Sequence, residues 1–77
     1  MHNQYGLLTP QAAAKIKNEL RANESSIIKF CKKYGFNYLM FEYWINGYRK
    51  SKMEEQYLDA LCDFFHKPKE DIKKWLS

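Results

Sequence analysis

The sequence predicts an all-α fold, a compact bundle of about five helices, from two features of its composition. The 77 residues include five Ile, one Thr and no Val, so the side chains that favour β-strands are scarce. Five Phe, six Tyr and two Trp supply large apolar side chains, each able to bury roughly 150–250 Å². A chain of this length forms one domain and buries only about 60% of its unfolded surface, so it needs such a dense core.

The N-terminal part divides into a flexible leader over residues 1–8 and the start of a single domain over residues 9–77. Thr9 is a favourable N-cap residue, and Pro10 fits the first helical turn, where its missing N–H costs nothing. The alanine-rich stretch that follows favours helix. These features predict a first helix that ends at about Ala22.

Two shorter helices are predicted next, separated by a tight turn. Either Ser25 or Ser26 can cap a helix over residues 27–34. The turn 35–37 begins with glycine, which adopts positive φ without strain, and ends with asparagine, which can cap the next helix. The third helix is predicted over residues 38–46 and ends at a glycine.

The C-terminal third predicts two more helices. Residues 51–54 have the spacing of a capping box and predict a fourth helix to about Phe65. Pro68 then begins a short fifth helix. The apolar face of the fourth helix is predicted to contain Leu58, Leu61, Cys62 and Phe65, and its outward face Glu54, Glu55, Asp59 and Asp63.

The second and third helices contain the most specific spacing in the chain. Counted from Gly35, the small residue Cys31 lies four positions before it. Three aromatic residues lie one, six and nine positions after it, namely Phe36, Phe41 and Trp44, and Gly47 lies twelve positions after it. A small side chain lets two helices approach closely, glycine makes the turn, and the aromatic residues face inward between the helices.

This spacing resembles the helix-turn-helix of the Cro/CI (lambda-repressor-like) family of small phage and bacterial transcriptional regulators. In that family one helix precedes the motif and two follow it, which is the order predicted here over about residues 10–76. The resemblance implies a sequence-specific, double-stranded DNA-binding transcriptional regulator from a phage or mobile element. It also implies that the third helix faces the DNA bases.

The outward positions of the third helix are the candidate contacts to bases or to a partner protein: Asn37, Tyr38, Leu39, Glu42, Tyr43 and Asn46. Asparagine can pair with adenine, glutamate can accept from cytosine N4, and leucine can touch a thymine methyl group.

Two features depart from the family pattern. These outward positions include no Lys or Arg, and Ile27 stands where the family often has glutamine. The exposed Tyr38, Leu39 and Tyr43 equally predict a protein-binding patch. The alternative prediction is therefore an antirepressor, which would use this face to bind another helix-turn-helix regulator.

Positive charge is concentrated around the same two helices. Residues 1–53 contain nine Lys and Arg and three acids, a net charge of +6, whereas residues 54–77 contain four Lys and six acids, a net charge of −2. A basic end is compatible with docking on a polyanion, although the same lysines also suit an ordinary solvated surface. The candidate phosphate contacts are Ser26, Lys29, Lys32, Lys33, Arg49, Lys50 and Lys52.

The remaining patterns predict no catalysis, no cofactor and no metal. Cys62 and His66 have metal-ligand spacing, but only Cys31 and His2 remain to complete a site. We expect a cytoplasmic protein without a membrane segment or a disulfide framework. The C-terminal Trp75 and Leu76 are predicted either as core residues or as a homodimer contact.

Overall fold

A computed structural model describes residues 8–76, and this part of the chain contains five α-helices and no strand. The all-α prediction is therefore confirmed. No helix within the described range is long and apolar enough to cross a membrane. The helices are α1 (Pro10–Ala22), α2 (Ile27–Tyr34), α3 (Tyr38–Ile45), α4 (Glu54–Phe65) and α5 (Lys69–Leu76).

Local hydrogen bonds set the ends of α2 and the start of α3. Ser26, rather than the serine before it, caps α2, and its Oγ accepts the N–H of Lys29 at 3.2 Å. Gly35 ends α2 with a φ of +75°, a conformation that glycine adopts without a Cβ clash. Asn37 caps α3 because its Oδ1 accepts the N–H of Met40 at 3.0 Å.

The largest side chains of the core form an aromatic cluster built by α2, α3 and α4, to which α1 and α5 add aliphatic residues. Phe30, Phe41 and Trp44 are fully buried, and Tyr57 is only 1% exposed. The Tyr57 ring lies 5.0 Å from both Phe41 and Trp44, and Phe30 lies 5.4 Å from Phe41. α1 contacts α2, α3 and α5, while α4 packs on α5, so the cluster is enclosed by the other helices.

The start of α4 differs from the sequence prediction. Ser51 Oγ accepts the N–H of Met53 at 3.0 Å, two residues on, and the helix begins only at Glu54. The Glu54 carboxylate accepts the indole N–H of Trp44 at 2.9 Å. The predicted capping box is therefore wrong, because Ser51 Oγ accepts the N–H of Met53 and not that of Glu54. The predicted outward position of Glu54 is also wrong, because the buried indole donor requires a partner and this carboxylate provides it.

The apolar face of α4 is also rotated from the predicted one. Leu58 and Leu61 are fully buried as expected, but Tyr57 is buried with them. Cys62 and Phe65, which were assigned to the core face, are only half-buried. The rotation follows from the aromatic cluster, which places Tyr57 between Phe41 and Trp44.

The core extends further toward the N-terminus than predicted. Leu8 is 5% exposed, so the assignment of residues 1–8 to a flexible leader does not hold for Leu8. It packs against Gly47, where a Cβ would overlap the Leu8 carbonyl and where φ is +80°. The rest of the predicted leader, residues 1–7, lies outside the described residues, as does Ser77.

Candidate nucleic-acid interface

α3 has one fully buried side and one exposed apolar side. Phe41, Trp44 and Ile45 have no exposed surface. On the opposite side Leu39 is 56% exposed and Tyr43 is 38% exposed. Both exposed positions are among those predicted from the sequence to face outward. Met40, which was not predicted to do so, is exposed as well.

The polar side chains of α3 bind one another instead of pointing freely outward. Asn46 Nδ2 donates to the backbone oxygen of Glu42 at 2.9 Å and to its carboxylate at 3.1 Å. The Tyr38 hydroxyl donates to the same carboxylate at 3.2 Å, and Lys17 Nζ lies 3.9 Å from it. The negative charge of Glu42 raises the pKa of Tyr38, with burial and the hydrogen bond adding to the effect. Glu42 and Asn46 are consequently half-buried, whereas the sequence predicted exposed side chains.

Asn37 is exposed at the start of α3 but has a structural role. Its Oδ1 caps the helix through the N–H of Met40. A bidentate pair with adenine uses both the oxygen and the nitrogen of an asparagine amide, so it would compete with this cap. The Asn37 amide nitrogen remains available for a single hydrogen bond to a base.

A groove of about 250 Å³ opens beside α3 at the start of α2. The N–H groups of Ile27 and Ile28 precede the first hydrogen bond of α2 and therefore have no partner within the helix. Helix starts of this kind attract anions, because the unpaired N–H groups and the helix dipole are positive there. The groove is lined by Lys17, Arg21, Ser25, Ser26, Ile27, Ile28, Tyr38 and Glu42.

The predicted phosphate contacts do not all lie together. The Arg49 guanidinium lies 5.8 Å from the centre of the Tyr43 ring, beside the exposed side of α3. The Lys33 ammonium lies 5.7 Å from the centre of the Tyr34 ring, and the hydroxyl of that ring donates to Asp63 of α4 at 2.6 Å. Of the remaining candidates, Ser26 lines the groove, and Lys29, Lys32, Lys50 and Lys52 are exposed.

Two cations at the groove, Lys17 and Arg21, were not predicted as contacts. They lie four residues apart on α1, immediately after the buried Ile16 and Leu20. A residue that follows a buried position lies at the edge of the apolar stripe, where a helix meets its neighbour. That register is the signal in the sequence, but which neighbour lies there depends on how α1 crosses α2 and α3.

The two cysteines lie in environments that keep their thiols protonated. Burial, with a further contribution from the charge of Glu42, raises the pKa of Cys31 to about 11. Burial also raises the pKa of Cys62. Thiols are poor nucleophiles and metal ligands until they lose their proton. Within residues 8–76, no group of three or more His, Cys, Asp and Glu side chains is arranged to hold a metal ion.

Comparison with known protein families, curated proteins and solved structures finds no match to this chain.

Proposed function

We propose that this chain is a small transcriptional regulator that binds double-stranded DNA through α3 and the groove beside it. In this proposal the exposed side of α3 enters the major groove, and a backbone phosphate binds at the start of α2. The proposal rests on the sequence resemblance and on the geometry of one surface. It extends to the source, a phage or mobile element, and to a cytoplasmic location.

The observation that supports it most is that two cations of α1 lie at the N-terminus of α2, next to the exposed side of α3. Lys17 and Arg21 line the same groove as Ile27 and Ile28, the first two residues of α2, and Tyr38 of α3 lines it as well. A phosphate bound there would receive both backbone and side-chain donors. Such contacts hold a protein in register on a duplex while bases are read by the neighbouring helix.

The dimensions and the charges of the surface agree with this arrangement. α3 has eight residues and is therefore about 12 Å long, which is comparable to the width of the major groove. Arg49 lies beside Tyr43 on the exposed side of α3, and Lys17 lies near Glu42. Because Lys17 lies 3.9 Å from the Glu42 carboxylate, it offsets the repulsion between that carboxylate and DNA phosphates.

The test is the salt dependence of binding to a mixed-sequence duplex, with a matched pair of α1 variants. Each phosphate contact should contribute a slope of about −0.9 to log affinity against log salt. Lys17→Ala combined with Arg21→Ala should weaken binding and flatten the slope. Lys15→Ala removes a charge from another face of α1, where Lys15 pairs with Glu19 at 3.0 Å, and should change neither.

Binding that is absent at low salt, or equal in the Lys17/Arg21 double variant and the parent, would contradict the proposal. Circular dichroism of each variant establishes that the fold is retained.

A second candidate function is binding of another helix-turn-helix regulator, as an antirepressor does. It is favoured by the exposed apolar side chains of α3 and by the absence of Lys and Arg from that helix. In that case Tyr43→Ala should weaken partner binding by about 2 kcal/mol or more, as central interface aromatics do. Duplex binding would then be weak and independent of Lys17 and Arg21.

A further inference from the structure

We infer that α3 discriminates between DNA sequences mainly through the 5-methyl groups of pyrimidines in the major groove. The inference rests on the proposed binding of double-stranded DNA and specifies what the exposed side of α3 reads. It predicts a preference for thymine at the contacted positions and, at the same positions, a preference for 5-methylcytosine over unmodified cytosine.

The first support is that bonds within the protein already use one half of each asparagine amide on this side, so neither amide can make a bidentate contact to a base as it stands. Both amide hydrogens of Asn46 go to Glu42, which also accepts from the Tyr38 hydroxyl. The oxygen of Asn37 caps the helix. Reading a base edge with these groups would require internal bonds to break, and that cost offsets the gain from the new contact.

The second support is the chemical nature of the groups that remain exposed. Leu39 and Tyr43 are four residues apart and thus lie one above the other on the outer side of α3. Leu39 is the most exposed large apolar residue of this helix, and Met40 lies beside it. The Leu39 and Met40 side chains have no strong hydrogen-bond donor or acceptor, so they can distinguish bases only by shape and by apolar contact.

The third support comes from the major groove itself. All four bases present hydrogen-bonding atoms there, but among the unmodified bases thymine alone adds an apolar group, its C5-methyl. Cytosine methylated at C5 presents the same apolar group at the same position. An apolar helix face therefore has one kind of complementary feature to bury, and burying one methyl group favours binding by roughly fourfold.

The experiment begins with selection of binding sites from a random duplex pool by the full chain. The affinity of the selected duplex is then compared with that of the same duplex carrying deoxyuridine in place of each thymidine. Deoxyuridine lacks only the methyl group, so base pairing is retained. We expect a loss of roughly fourfold for each contacted methyl group, and no loss when deoxyuridine is placed outside the selected site.

Two further measurements assign the effect to α3. Leu39→Ala should reduce the difference between thymidine and deoxyuridine duplexes, while its salt dependence stays that of the parent. Replacing a contacted thymine by 5-methylcytosine, paired with guanine, should retain more affinity than unmodified cytosine does.

The outcomes separate the inference from the function on which it rests. Equal affinity for thymidine and deoxyuridine duplexes, or a pool that yields no enriched sequence despite salt-dependent binding, overturns methyl readout and leaves DNA binding intact. Failure to bind any duplex at low salt overturns both, and so does binding of a repressor protein through Leu39 and Tyr43 in place of DNA.

Discussion

The two sides of α3 are both apolar, yet they have opposite relations to the rest of the molecule. Phe41, Trp44 and Ile45 are completely buried against the other helices. Leu39 and Tyr43, on the other side of the same eight residues, remain in contact with solvent. The buried side contributes the free energy of burial to folding, and the exposed side contributes little of it.

Because both sides are apolar, composition alone does not identify a core-facing residue. An exposed apolar patch adds little to stability and favours aggregation, and for this reason we propose that the patch beside the cation-lined groove is a binding surface. The two sides should therefore respond differently to substitution. Changes on the buried side should lower the free energy of unfolding, and changes on the exposed side should affect binding alone.

The largest expected effect is on the buried side. Trp44→Ala removes the centre of the aromatic cluster and leaves the Glu54 carboxylate without its indole partner. We expect a loss of about 3–5 kcal/mol in the free energy of unfolding, measured by urea denaturation followed by circular dichroism. A loss under about 1 kcal/mol would mean that Trp44 does not occupy the core.

Gly35, which ends α2, and Gly47, which follows α3, are a matched pair of glycines with nearly the same φ. Gly47→Ala places a methyl group against the Leu8 carbonyl, whereas Gly35→Ala meets no atom within 4 Å. Both variants incur the left-handed backbone cost, roughly 1–2 kcal/mol, but Gly47→Ala must also displace Leu8. Thermal melts should therefore rank Gly47→Ala as clearly less stable. Equal melting temperatures would contradict the packing of Leu8.

The bond between α3 and α4 can be tested by two changes at one position. Glu54→Ala leaves the buried Trp44 indole N–H without an acceptor and should cost about 1–3 kcal/mol. Glu54→Gln keeps an acceptor oxygen and should stay within about 1 kcal/mol of the parent at neutral pH.

The same carboxylate predicts a pH dependence. Burial, the largest cause, and the charge of Glu55 raise the pKa of Glu54 above its ordinary value of 4.5, against the lowering effects of Trp44 and Lys50. A carboxyl group whose pKa is raised in the folded state stabilises the protein when the pH is below the ordinary pKa of that group. This contribution is lost as the pH rises through the folded-state pKa. Glu54→Gln should therefore gain stability relative to the parent as pH rises from the ordinary value of 4.5 to neutral. A constant difference across this range would contradict the shift.

The smallest expected effect on stability is on the exposed side. Leu39→Ala should change the free energy of unfolding by no more than about 0.5 kcal/mol, because the side chain is largely in water already. Denaturation of this variant beside Trp44→Ala provides the direct comparison between the two sides. A loss comparable to that of Trp44→Ala would place Leu39 in a core contact.

Much of the local structure follows from the sequence alone. The helix bounds predicted for 27–34 match α2, because the capping serine, the terminal glycine and the apolar spacing act within a few residues of one another. Local interactions of the same kind start α3 after its cap, Asn37. Composition and helical periodicity together predict the all-α fold. Burial of Phe41 and Trp44 follows from their spacing on the helix.

The candidate surface was predictable only in part. The outward positions of Leu39 and Tyr43 follow from helical periodicity, and the structure shows both exposed. The bonds that occupy Asn46 and Glu42 do not follow from it, because a polar side chain on a helix end can point to solvent or fold back on its own helix. Local alternatives of similar energy are decided by the neighbouring helices.

The five helices, the caps of α2 and α3 and the two sides of α3 could be predicted from the amino-acid sequence, since they depend on interactions between residues within about one or two turns, whereas the capping box predicted for α4 was wrong. The contacts between distant residues could not be predicted: Glu54 with Trp44, Leu8 with Gly47, and Lys17 and Arg21 with the start of α2. Such contacts depend on the angles and distances at which helices cross. Those in turn depend on the volumes of all the side chains packed between the helices at once.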